Sequence, residues 1–203
     1  TVTIDANGAT SDILVNDGIS TASGAITLDA DNDVIFAAEG DIASTSGNVA
    51  VTADKDAGGA SSGALTMNNG TLINAGSGTI TLSAGEGVTL GGLLTTNTGA
   101  TAVTLTSTAG GIVDGGDATV DVVAAGGRLV IDAVTGVGDA GAIETTVASL
   151  DLDNATSRNA AGPDTDPITW GNPGPATHAT RPTSTAGQTT FANGGRPDAR
   201  GRP

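Results

Sequence analysis

Short apolar-x-apolar runs recur along the first three quarters of the chain, each opened by glycine or another small residue and closed by a polar or small pair. They stand at Val2/Ile4, Ile26/Leu28, Val49/Val51, Ile80/Leu82, Val103/Leu105, Leu129/Ile131 and Leu150/Leu152. Their first members are separated by 24, 23, 31, 23, 26 and 21 residues, and all fourteen slots hold Val, Ile or Leu. Alternation with period two predicts strands with one buried face. A second run follows in most repeats, at Ile13/Val15, Val34/Phe36, Leu65/Met67, Val88/Leu90 and Ile112. A third, shorter one stands at Ile19, Ile42, Leu72, Leu93 and Val120/Val122. The third repeat is eight residues longer than its neighbours, which marks "DKDAGGAS" (54–61) as a loop insertion in an otherwise regular coil.

Three short strands per repeat of about 23 residues predict a parallel β-helix, in which each coil buries its apolar face only by stacking on the next. Ile26 then sits on Val49 and Val49 on Ile80, in aliphatic ladders with a spacing of about 4.8 Å. About seven coils make a rod roughly 35 Å long. Glycines at "SG", "GG" and "NG" are expected to supply positive-φ corners between strands. A helical reading fails, because frequent glycine and β-branched residues both oppose it. The outward slots read Thr3, Thr27, Ala50, Thr81, Thr104, Val130 and Asp151. A flat threonine array can order water at an ice surface, but only Thr81/Ser83 and Thr104/Thr106 form full hydroxyl pairs. Ordinary preference of threonine for exposed strand positions explains the rest.

Charge and proline divide the chain into two zones. Residues 1–157, the predicted repeat domain, carry 19 acids, two bases (Lys55 and Arg128) and no proline. Residues 158–203, an irregular tail or linker, carry five arginines, three aspartates and all seven prolines, with the sole Trp170 and His178. With a formal net charge of −15, the chain is a poor partner for nucleic acid or anionic membranes, whose phosphates are met by Lys and Arg. No apolar run approaches the roughly 18 residues of a membrane-crossing helix, so membrane insertion is not expected. Without cysteine there is neither a disulfide framework nor a thiolate metal site.

Candidate chemistry is sparse. "GEGVTLGG" (85–92) places its glycines off the dinucleotide spacing and lacks the Lys-Ser/Thr of a phosphate loop. "DADND" offers Asp29, Asp31 and Asp33, but the sixth and twelfth positions of a calcium loop hold Val34 and Gly40. Stacking sets Asp5 beside Asp29 and Asp132 beside Asp153 on the outer face. A solvated acidic surface is the simpler reading, and a calcium ion held by Asp29, Asp31, Asp33, Asp132 or Asp153 the alternative. No other cofactor is indicated. A polysaccharide-acting β-helix enzyme needs basic residues to meet uronates, or paired carboxylates with aromatic platforms. The repeat domain offers Lys55, Arg128 and one phenylalanine, and His178 lies in the tail, so no catalytic residue is assigned.

The segments "SGAITLDADNDVIF", "SGNVAVTAD" and "SGTITLSAGEGVTL" resemble the filamentous-haemagglutinin-like repeats of large bacterial surface exoproteins, both two-partner-secreted adhesins and autotransporter passengers. The resemblance spans roughly residues 1–157. It implies an all-β fold, a right-handed parallel β-helix or solenoid, export to the bacterial cell surface, and adhesive or scaffold duties without catalysis. Its implied partners are other cell-surface or matrix components and a host or cell-surface receptor.

A second reading treats the chain as a filament subunit. "TVTIDANG" starts in a first-coil strand without a methionine, as a mature or excised piece would, and an open solenoid end exposes unpaired backbone groups to another copy. In this reading the basic tail, through Arg181, Arg196, Arg200 and Arg202, docks on the acidic body of a neighbour. A mobile linker is the plainer role for the same segment.

Overall fold

The computed structural model describes residues 1–56, 63–116, 119–138 and 142–154, and beyond them the backbone of two short strands. The chain is all-β in these residues and winds as a parallel β-solenoid of about six turns. Turn one consists of β1 (Val2–Ala6), β2 (Ile13–Val15) and β3 (Ile19–Thr21). Turn two holds β4 (Ile26–Ala30), β5 (Val34–Phe36) and β6 (Ile42–Ser44). Turn three holds β7 (Val49–Thr52), β8 (Ala64–Met67) and β9 (Leu72–Gly76). Turn four holds β10 (Ile80–Ala84), β11 (Gly87–Leu90) and β12 (Gly92–Thr95). Turn five begins with β13 (Val103–Ser107) and β14 (Gly111–Asp114). Two long strands, β15 (Val122–Ala133) and β16 (Thr145–Asn154), each run through a corner. The first half of β15 pairs with β12 and its second half with β13, so one strand closes turn five and opens turn six. The seventh predicted coil contributes the second half of β16. Past it, β17 (Thr169–Trp170) and β18 (Thr190–Phe191) extend the same parallel ladder, Trp170 taking the register position of Leu150 and Phe191 that of Trp170.

Each of the seven first-face strands pairs in parallel with the next, and the fourteen aliphatic slots fall in two unbroken columns. The ten slots from Ile26 to Ile131 are buried. Val2, Ile4, Leu150 and Leu152 are half-buried or exposed; Val2 and Ile4 stand on β1, which pairs with β4 alone. The second face is a five-stranded sheet in which Ile13, Val34, Leu65, Val88 and Ile112 stack in register. Full burial of one such side chain contributes about 1.5–3 kcal/mol, so the core draws its strength from repetition rather than from any large residue.

Two expectations are corrected. On the third face the inward column is the half-buried Ile19 followed by the buried Ile42, Ile73, Leu93 and Val122, while Leu72 points outward and is 37% exposed. "TLIN" offers two adjacent apolar residues, and only pairing with β6 and β12 selects between them. Val120 likewise lies before β15 and is exposed.

The second correction concerns glycine. Positive φ occurs at the "NG" glycines Gly8 and Gly70, but at none of the described "SG" glycines. Those are required by close approach. A Cβ on Gly47 would lie 2.0 Å from the Gly24 carbonyl oxygen, and one on Gly78 would lie 2.2 Å from that of Gly47. Each turn rests directly on the backbone of the one before.

Two substitutions test this account. Leu82→Ala, at a fully buried slot, should cost about 2–5 kcal/mol in urea unfolding, while Thr81→Ala beside it should cost under about 0.5 kcal/mol. Gly47→Ala should cost about 1–3 kcal/mol or more although it adds a single methyl. Equal midpoints for Leu82→Ala and Thr81→Ala would refute the inward ladder.

Candidate functional site

Stacking puts like residues over like, and for acids this raises an electrostatic problem. Asp5 of β1 stands across from Asp29 of β4, and Asp132 of β15 across from Asp153 of β16, as the repeat spacing predicts. Both bases of residues 1–157 are drawn to these places. Lys55, at the corner after β7, forms an ion pair with Asp5, donates to Asn7 Oδ1 at 2.7 Å and lies 3.6 Å from Asp31 Oδ1. The ammonium lowers the Asp5 pKa through this hydrogen bond, and Asp5 in turn raises that of Lys55. Arg128 pairs with Asp151, which shares the outer face of β16 with Asp153 two residues on.

The aspartates weighed as calcium ligands are spread over separate tasks. Asp29 faces outward on β4, next to Asp5 on one side and Thr52 on the other. Asp31 is buried at the corner, where Oδ2 accepts the Gly8 amide at 2.6 Å. Asp33 accepts the Ala64 amide at 2.8 Å and thereby ties turn two to turn three. Asp132 and Asp153 lie at the opposite end of the described solenoid. Among the described residues, no group of three or more His, Cys, Asp or Glu is arranged to hold a metal ion. Arg181, Arg196, Arg200 and Arg202 lie outside the described residues, as does His178.

A cluster of three acids was not anticipated. Asp121, before β15, is 2% exposed and accepts the Glu144 amide on Oδ2 at 2.9 Å. Its own amide donates to the Glu144 carbonyl at 2.9 Å, so the two residues are stacked neighbours. Asp114 closes β14 at the register position of Leu90 and is also buried. Burial, reinforced by the charges of Asp114 and Glu144, pushes the Asp121 pKa up to about 7 against the Glu144 amide bond that lowers it. The available signal was the separation of 23 residues between Asp121 and Glu144, one repeat. Asp54 is also raised, first by burial and then by Asp56.

The second face carries a shallow trough of about 320 Å³. Gly87, Gly111 and Gly136 form its floor, and its polar side chains are Glu86, Thr89 and Thr135. One carboxylate and two hydroxyls do not make an acid–base pair for glycoside cleavage. No described helix is long and apolar enough to cross a membrane. The chain matches no protein-family model, and no curated protein or solved structure is significantly similar to it.

Two measurements follow. Folding holds a proton on Asp121 that the unfolded chain, with an ordinary value of 3.8, releases earlier. The stability it contributes is full below that value and is lost as pH rises through about 7. Asp121→Asn, which keeps the shape of the protonated acid, should therefore flatten the fall in melting temperature between about pH 4 and 7. Parallel pH profiles for the two proteins would rule out a proton held on Asp121. Lys55→Ala should lower the melting temperature at low salt, and added salt should shrink the loss.

Proposed function

We propose that the chain is a non-catalytic rod segment of a secreted bacterial surface protein, with adhesive or scaffold duty. The observation that carries this reading is the unbroken register of seven first-face strands, which makes a stiff, elongated object with repeated outer surfaces. The two bases of residues 1–157 support it, because both are engaged by the chain's own carboxylates and neither is left to meet a uronate. The trough on the second face supports it too, since its lining lacks the paired groups that acid–base catalysis requires. The resemblance to filamentous-haemagglutinin-like repeats is what supports a position on the outside of the cell.

Beads coated with the purified chain should be retained on cell or extracellular-matrix surfaces under flow, above beads carrying an unrelated protein of equal negative charge. Equal retention would remove the adhesive duty. Release of sugar from pectin-like or alginate-like polymers, abolished by a single carboxylate substitution, would replace the reading with an enzymatic one.

A further inference from the structure

The chain contains three Asn-Gly pairs, at 7–8, 69–70 and 193–194, of which the last lies outside the described residues. Asn-Gly is the dipeptide in which a backbone amide most readily attacks the preceding side chain, because glycine has no Cβ to block the approach. The fold treats the two described pairs in opposite ways.

At Asn7–Gly8 both reacting groups are held. The Gly8 amide donates to Asp31 Oδ2 at 2.6 Å, and the Asn7 side chain accepts from Lys55 Nζ at 2.7 Å. Attack requires the Asn7 carbonyl carbon to swing onto the Gly8 nitrogen, which breaks the Lys55 contact. The adjacent Asp31 carboxylate also opposes formation of an amide anion. At Asn69–Gly70 neither restraint exists. The pair is the exposed tip of the turn between β8 and β9, closed from both sides by Thr71, whose amide and hydroxyl donate to the Asn68 carbonyl at 3.0 and 2.8 Å. Neither Asn69 nor Gly70 makes a hydrogen bond among the described residues. A Cβ built on Gly70 would meet nothing within 4 Å, so there is room for a ring.

We infer that Asn69 is a site of spontaneous covalent modification, deamidating on the folded protein while the identical dipeptide at Asn7 is protected. The Gly70 nitrogen, after losing its proton to hydroxide, bonds to the Asn69 side-chain carbonyl carbon, and ammonia leaves. Water then opens the resulting succinimide at either carbonyl, giving aspartate or isoaspartate. The turn tolerates both products. Connections at this corner range from one residue between β11 and β12 to seven between β14 and β15, so one extra backbone carbon need not move either flanking strand. Each event replaces a neutral amide by a carboxylate and so adds one negative charge to the outer surface of the turn.

The test follows the full-length folded chain in warm, mildly alkaline buffer by peptide mass mapping, with isoaspartate scored by enzymatic methylation and a urea-unfolded sample run in parallel. The folded chain should convert Asn69 at least about tenfold faster than Asn7, and unfolding should bring the two rates together. Asn69→Gln should abolish the fast conversion, and Asp31→Ala should release Asn7 from protection. Should Asp31→Ala fail to fold, the folded-to-unfolded comparison in the unaltered chain still decides. Equal rates at the two sites in the folded chain, or an Asn69 about tenfold slower folded than unfolded, would overturn the inference.

Discussion

The rest of the structure depends on one distance, the roughly 4.8 Å between hydrogen-bonded parallel strands. Because each turn repeats the path of the one before, this spacing applies to whole turns as well as to strand pairs. Every residue therefore meets the residue one repeat away. The consequence is favourable for Ile26, Val49 and Ile80, which pack into a column. It is restrictive at Gly47 and Gly78, where the carbonyl of the previous turn occupies the place of a side chain.

For acids the same spacing is a cost, and the chain offsets it by different means in different places. Lys55 supplies a cation to the Asp5 and Asp31 corner, and Arg128 supplies one to Asp151. At Asp121 the surroundings are acidic, and the carboxyl is relieved by keeping its proton to about pH 7. The positions of the two bases thus follow from the stacking of acids. Among the described residues both cations are engaged by the chain's own carboxylates.

Legibility in the sequence varied with how far each feature followed the repeat. The first-face columns, the second-face columns and the Asp5/Asp29 and Asp132/Asp153 contacts were all legible, because one period places them. The choice of Ile73 over Leu72 was not, since both are apolar and adjacent, and only the neighbouring strands distinguish them. The partners of Lys55 were equally hidden. Asp5 lies 50 residues away, across two turns, and a flexible side chain's reach is set by the corner it leaves. The Asp121 cluster escaped notice because the strand that follows it turns a corner in its middle, which blurs the alternation on which the reading relied.

By itself the sequence determined that the chain is a solenoid, which residues form its main ladders and where its acids crowd, because these follow from periodicity in a one-dimensional repeat. It also identified the glycines, with the right reason at the NG pairs Gly8 and Gly70 and not at the SG pairs, where close approach requires them. Only the tertiary structure decided which of two adjacent apolar residues turns inward, which carboxylates receive a cation or keep a proton, and which Asn-Gly pair is held and which is free. Those outcomes depend on what the neighbouring turn places within a few ångströms, and a repeat pattern carries no record of that.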